Sequence, residues 1–349
     1  MTRKRHILTL LALPLLVACG THRFTHTGQQ QVIRSTIVTP PLMTTGGEQT
    51  LRREAPHLIN NVRAYEPSTW QGALQTRLDA LCCDTLLRST QLGLCVYDLT
   101  DGVMLYSVNA DQRMRPASNQ KIVTAVAALD QLPAEHRYTP VVRTPGRGWC
   151  WDDEETGMTD FKAGGKRKSS SCLWAEDREW SLHDVLQPMM KKSDNMMAES
   201  VFWELGTGND KPAKAAAKRV EEVIRKAGLN PQDYDIVDGS GLSLYNYVTP
   251  RLLLTLLCYA HSQPAIYNEL YAAMPIAGVD GTLAKRMEGT TAQGNVHAKT
   301  GTVTGVSTLS GYCKATNGHL LCFSIMNQGL TRAALGRAFQ DRICSALTE

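Results

Sequence analysis

Residues 115–121 read Arg115-Pro116-Ala117-Ser118-Asn119-Gln120-Lys121 and run on into Ile122-Val123-Thr124-Ala125-Val126. A proline is tolerated in the first turn of a helix, where its missing N–H would find no partner anyway. The apolar run behind it predicts a buried helix and not a solvated one. Residues at i and i+3 share a helix face, so Ser118 and Lys121 point the same way. No other serine in the chain has a lysine three residues on. A hydroxyl is a poor nucleophile until a nearby base takes its proton, and the Lys121 amine is placed to do that.

Two further strings follow in order, Ser193-Asp194-Asn195 and Lys299-Thr300-Gly301. Each is weak alone. Ser107-Val108-Asn109 fits the middle pattern equally well, serine and asparagine are ordinary turn residues, and a lysine at an exposed strand end is common. Together they supply a serine acyl-transfer site. In that arrangement Ser193 relays a proton to the leaving amine and Asn195 holds the acyl-side amide of the substrate. Lys299, Thr300 and Thr302 grip a carboxylate, while Gly301 lets a substrate or another backbone come close. The backbone N–H groups of Ser118 and Thr302 face the developing oxyanion. A lysine ordinarily titrates near pH 10.4, so Lys121 needs burial and a second cation, for which Lys299 is the candidate, to act as a base at all.

The chain of 349 residues is 43% apolar, enough for a large core. Its start differs in character. Arg3, Lys4 and Arg5 precede an apolar run from Ile7 to Val17 that is too short to cross a bilayer and has the form of a secretory leader. The run ends in Leu16-Val17-Ala18-Cys19-Gly20, which resembles the lipobox of bacterial lipoproteins. The expectation is a signal peptide over 1–18, lipidation of Cys19, a polar flexible tether over 19–66 and a folded domain over 67–349. Loss of the three basic residues of the leader brings the formal charge from +4 to +1, which argues against nucleic acid as a partner.

Apart from Cys19 the chain has cysteines at 82, 83, 95, 150, 172, 258, 313, 322 and 344, an odd number that cannot all pair internally. No Cys-x-x-Cys or His-Glu-x-x-His string points to a metal, and no cofactor is implied. Cys95, Cys313 and Cys322 lie in apolar runs and read as buried thiols; Cys150 and Cys172 are the disulfide candidates.

Helical spacing of Trp70, Leu74, Leu78, Leu81 and Leu86 predicts a helix over 69–89. Leu94–Leu99 and Val103–Val108 read as a hairpin around Thr100-Asp101-Gly102, and Ser307–Cys313 with Leu320–Met326 as another around Asn317-Gly318. A strand ending at Lys299-Thr300-Gly301 precedes the second hairpin, and a helix over 331–347 closes the chain. Between them, Ser181-Leu182-His183-Asp184 starts a helix, 213–227 forms another, and 141–180 reads as an irregular inserted segment. Strands from both ends should meet in one antiparallel sheet flanked by terminal helices, beside a mostly helical middle.

The strings now carry a resemblance. The segment 115–121, Asp238-Gly239-Ser240-Gly241-Leu242-Ser243, Ala277-Gly278-Val279-Asp280-Gly281-Thr282-Leu283 and Ala298-Lys299-Thr300-Gly301-Thr302-Val303-Thr304-Gly305-Val306 are similar to strings of the penicillin-binding proteins of the D-alanyl-D-alanine carboxypeptidase/endopeptidase group, the S13 serine peptidases of the penicillin-binding protein 4 type. The resemblance runs from about residue 70 to the C-terminus. It implies an α+β fold of the β-lactamase/transpeptidase kind, with the site between an antiparallel sheet and a helical lobe. It also implies cleavage of peptidoglycan stem peptides ending in D-Ala-D-Ala, or of D-alanyl cross-links, and acylation by β-lactam antibiotics. Such an enzyme works in the cell envelope, anchored by lipid with its domain in the periplasm or outside the membrane. Two departures stand out. The family inserts large extra domains where residues 122–192 alone separate Lys121 from Ser193 here, so 141–180 reads as a shortened insertion. An arginine is usual where this chain has Leu244. The rival expectations are a serine β-lactamase or esterase, for which no Glu-x-x-Leu-Asn string is found, and a non-catalytic cell-wall binding or sensor module of the same fold.

Overall fold

The computed structural model describes residues 62–138, 147–152, 157–162, 179–208 and 212–349, with the backbone alone for 147–152 and 157–162. The leader, Cys19, the tether up to residue 61 and Cys172 lie outside the described residues, as does the Cys150 side chain. All that is described belongs to one unit, Arg53–Glu349.

Helix α1 (Trp70–Cys82) is capped by Thr69, whose hydroxyl accepts from the N–H of Gly72 at 3.1 Å. The single helix expected to residue 89 breaks early. Asp84 accepts from the N–H of Leu86 at 2.7 Å and starts a separate 3-10 turn, Thr85–Arg88, because an aspartate competes well for backbone N–H groups outside a helix. Strands β1 (Gln91–Asp98) and β2 (Val103–Val108) form the first hairpin. A 3-10 turn at Ala117–Asn119 then leads into α2 (Gln120–Gln131), whose residues from Gln120 to Ala128 are all buried.

The segment 141–180 is not wholly irregular. Strand β3 (Arg137–Tyr138) pairs with β6 (Trp180–Ser181) across it, and inside it β4 (Arg147–Asp152) pairs with β5 (Gly157–Lys162). Helix α3 (Leu182–Lys191) follows a complete capping box between Ser181 and Asp184, a device that contributes about 1 kcal/mol. Then come α4 (Asn195–Glu204), α5 (Pro212–Lys226), α6 (Pro250–His261) and α7 (Pro264–Ala273). The chain returns to the sheet with β7 (His297–Val303), β8 (Val306–Lys314) and β9 (Leu320–Gln328), and ends in α8 (Ala333–Thr348).

The five-stranded sheet has the order β2-β1-β9-β8-β7 with antiparallel neighbours throughout, so strands from both ends of the sequence do meet. Its two faces follow the period of two. Leu94, Val96, Leu321, Phe323 and Ile325 face Leu74 and Leu78 of α1 and Phe339, Ile343 and Leu347 of α8. Cys95, Tyr97, Cys322 and Met326 belong to the other core, with Val126, Leu186, Phe202 and Leu253 from the helical lobe. Both faces being covered, β8 and β9 are buried almost without interruption; β9 accordingly reads as a largely apolar run, while β8 buries Ser307, Thr308 and Ser310 among its apolar residues. Cys95, Cys313 and Cys322 are buried free thiols, as expected. Strand β7 is an edge strand, and the turn that carries Ser118 lies against it.

Candidate active site

Three connections bring the strings together. Ser118 sits in the 3-10 turn and Lys121 in the first turn of α2, and the Lys121 Nζ lies 3.1 Å from the Ser118 Oγ. Ala117, just before the nucleophile, is held in the left-handed region at φ 47°, a conformation that costs a non-glycine residue about 1–3 kcal/mol and is held only where the surroundings enforce it. What enforces it is visible. The Pro116 carbonyl accepts from the Thr308 hydroxyl of β8 at 2.9 Å, and the Asn119 amide donates to the Ser310 hydroxyl at 2.8 Å.

The second string comes from the α3–α4 junction. Ser193 also adopts a left-handed φ, 59°, and Asp194 caps α4 through the N–H of Met197. Asn195 accepts from Lys121 Nζ at 2.7 Å through Oδ1, which leaves its NH2 group as a donor for a substrate carbonyl. The Lys299 Nζ donates to the Ser193 hydroxyl at 2.9 Å and to the Thr300 carbonyl at 2.8 Å. Thr302 is exposed on the edge strand, and the Thr300 hydroxyl is engaged with that of Thr282 at 2.7 Å. All the expected site residues of the folded domain are therefore gathered at one place.

Gly301 shows why a side chain is absent there. A Cβ at that position would overlap the Thr308 hydroxyl and would stand 2.8 Å from the Pro116 carbonyl and 3.0 Å from the Ser118 nitrogen. The edge strand and the nucleophile turn can thus approach closely only around a glycine. This brings the edge strand that carries Thr302 up against the backbone of the Ser118 turn.

Both lysines are fully buried. Burial brings Lys121 down to about 8, against the pull of Glu199, Asp238 and Asp194 in the other direction. Lys299 is held well below the usual lysine range, by burial first and by the nearby Lys121 second. Burial is thus the main cause for both; Lys121 acts on Lys299, but the lowering of Lys121 comes from burial and not from Lys299, the second cation that the sequence suggested.

Further groups were not assigned roles from the sequence. The Ser240 carbonyl is a third acceptor for Lys121 Nζ, at 2.8 Å. Asp238 builds the loop that presents it, accepting from the N–H groups of Gly241 at 2.6 Å and Ser243 at 2.7 Å and from the Asn246 amide at 2.8 Å. Lys191 of α3 pairs with Asp280 at 2.6 Å, tying the loop that bears Thr282 to the lobe that bears Ser193. Leu244 is half exposed, and its carbonyl accepts from the Arg115 guanidinium at 3.2 Å. Among the described residues one group of metal-ligand type, Asp98, Asp101 and His319, gathers at the β1–β2 turn, where His319 is already hydrogen-bonded to Asp98 at 2.8 Å.

A sequence profile described as the D-Ala-D-Ala carboxypeptidase 3 (S13) family matches residues 74–148 and 158–349. A D-alanyl-D-alanine carboxypeptidase of Actinomadura sp. (strain R39) is 40% identical over 243 residues, 64% of this chain and 45% of the relative. The D-alanyl-D-alanine carboxypeptidase DacB of Haemophilus influenzae is 36% identical over 157 residues, 43% of this chain and 32% of the relative. The chain thus spans less than half the length of these relatives in each match. Penicillin binding protein 4 from Haemophilus influenzae superposes with a TM-score of 0.59 at 18% identity, covering 79% of this chain and 98% of that one. The TLA-3 extended-spectrum beta-lactamase superposes with a TM-score of 0.57 at 16% identity, covering 79% and 97%. The fold is therefore the one common to these two groups.

Proposed function

The chain belongs to the D-Ala-D-Ala carboxypeptidase 3 (S13) family, and from that premise we propose that it is a serine DD-peptidase. It would remove the terminal D-alanine of peptidoglycan stem peptides, with D-alanyl cross-links as a second substrate. The observation that carries this reading is the Lys121 amine, buried, brought down to about 8 and 3.1 Å from the Ser118 hydroxyl. As Ser118 attacks the carbonyl of the penultimate D-alanine, Lys121 takes its proton and the oxyanion enters the space between the N–H groups of Ser118 and Thr302. Ser193, fed by Lys299, passes a proton to the departing amine. Water then attacks the acyl-enzyme, giving a proton to Ser193 and through it to Lys299, while Lys121 returns its proton to the departing Ser118 oxygen. A penicillin forms the same ester.

A time course with labelled penicillin tests this against its rivals. Persistent labelling at Ser118 is the expected result. Rapid turnover of the label would make the chain a β-lactamase, and no labelling would leave a binding or sensor module.

The carboxylate beside the scissile amide would sit against Lys299, Thr300 and Thr302. Amidating the C-terminal D-alanine removes a charge-assisted contact worth about 1.5–3 kcal/mol, so kcat/KM should fall by roughly ten- to a hundred-and-fifty-fold. Thr302→Val deletes the exposed hydroxyl but keeps the backbone N–H, so it should lose much of the preference for acid over amide and still acylate. Equal hydrolysis of acid and amide by the wild type would remove this grip.

The family's work is done where peptidoglycan lies, and the Leu16-Val17-Ala18-Cys19 string supports an envelope location with Cys19 as the lipid anchor and the domain in the periplasm or outside the membrane. Cys19→Ala should move the full-length protein from the membrane to the soluble fraction and abolish labelling by a fatty-acid probe. Unchanged membrane fractionation and labelling would refute the anchor.

A further inference from the structure

We propose that Glu199 is a positioning residue for the Lys121 base, holding the Gly239–Ser240 backbone against it from α4; this rests on the DD-peptidase reading for its catalytic meaning. Helix α4 begins with Asn195, and Glu199 stands four residues on, so both side chains leave the same helix face. The Glu199 carboxylate accepts from the N–H of Ser240 at 2.9 Å through Oε1 and from that of Gly239 at 3.2 Å through Oε2. The carbonyl of Ser240 accepts from the Lys121 ammonium at 2.8 Å, and the carbonyl of Gly239 from the Thr124 hydroxyl of α2 at 2.8 Å. One short stretch of backbone is thus clamped between an acid on α4 and the base on α2.

The clamp is tight on both sides. A Cβ at Gly239 would stand 2.6 Å from the Ala198 carbonyl. Gly241 adopts φ 84°, and a Cβ there would overlap the Ala117 carbonyl directly before the nucleophile. Displacing this loop therefore disturbs both the third acceptor of Lys121 and the Ser118 turn. With Glu199 gone, two buried N–H groups would have no acceptor.

Charge gives a readout that a mere strut would not move. Lys121 is faced by Asp194 and Glu199 of α4, Asp238 of the loop and Lys299 of β7. Glu199 is itself pushed up to about 7, by burial first and by Asp238 second. Its negative charge favours the ammonium form of Lys121. Removing that charge while keeping the side-chain length and one of its two acceptor oxygens, as glutamine does, must let Lys121 lose its proton at lower pH.

The experiment follows Lys121 directly in the full chain, with lysines labelled by carbon-13 at Cε and the resonance assigned by its loss in Lys121→Arg. In Glu199→Gln the titration midpoint should move to lower pH by roughly one pH unit. The acid limb of kcat/KM on a D-alanyl-D-alanine peptide, which needs the free amine, should move with it. Glu199→Ala should lower kcat/KM by roughly a hundredfold or more through the loosened loop, with partial rescue in Glu199→Asp. Identical Lys121 midpoints in wild type and Glu199→Gln would overturn the proposal, as would a Glu199→Ala enzyme as active as wild type. The resonance reports without turnover, so it judges Glu199 even if the penicillin time course refutes the peptidase.

Discussion

Ser118→Ala is expected to abolish penicillin labelling and peptide hydrolysis together, since on the proposed mechanism both need one oxygen. The expected loss in kcat is roughly 10⁴- to 10⁶-fold, the scale on which removing a nucleophile acts when it works as a unit with its base. The fold should survive. Among the described residues the Ser118 side chain accepts one hydrogen bond, from Lys121, whose nitrogen keeps Asn195 and the Ser240 carbonyl as partners. A circular dichroism spectrum and melting temperature close to wild type would separate loss of chemistry from loss of structure. Lys121→Ala should be nearly as inactive for want of a base. Acylation that persists in Ser118→Ala, mapped to another serine, would remove the assignment.

Gly301→Ala tests the space between strand and nucleophile. The added methyl would overlap the Thr308 hydroxyl and press on the Pro116 carbonyl and the Ser118 nitrogen. Relief requires β7 to move away from the turn, which separates the two N–H groups proposed to receive the oxyanion. Loss of one such donor costs about 2.7–4 kcal/mol of barrier, so kcat should fall by roughly a hundred- to a thousandfold. Acylation rates with penicillin should fall in parallel, because the same oxyanion forms. A variant with kcat within a fewfold of wild type would show that β7 and the turn need not be so close.

The parts of this arrangement that are legible in the sequence are the local ones. Ser118 and Lys121 are three residues apart, the two hairpins announce themselves by turn residues between apolar runs, and Ser181 and Asp184 spell out a helix start. The helix of residues 70–82 shows its limit. The apolar spacing continues to Leu86, and one aspartate with a nearby N–H ends the element. Glu199 is hard to read from the sequence because its partners Gly239 and Ser240 are some forty residues away and its neighbours Met196, Met197 and Ala198 read as helix core. The signal was nonetheless present, as an acid four residues after Asn195 on an otherwise apolar face. Asp238 was read only as part of a string, since its role is to shape a backbone turn and no spacing rule reports that. The Lys299 contact with Ser193 spans 106 positions and follows from the shared site alone.

The place of β9 in the sheet bears on how the molecule comes into being. This strand lies between β1, made early, and β8, which carries β7 on its far side. During synthesis the hairpin of β1 and β2 waits with one edge unpaired until residues 320–328 arrive, and pairings between such distant segments form slowly. Until then the Ser118 turn can meet β7 and β8 only through direct contacts such as those of Thr308 and Ser310, with no continuous sheet behind them. The exposed strand edges of such an intermediate are the stage most open to aggregation or to a chaperone. The five-stranded sheet is completed late, when β9 inserts between β1 and β8.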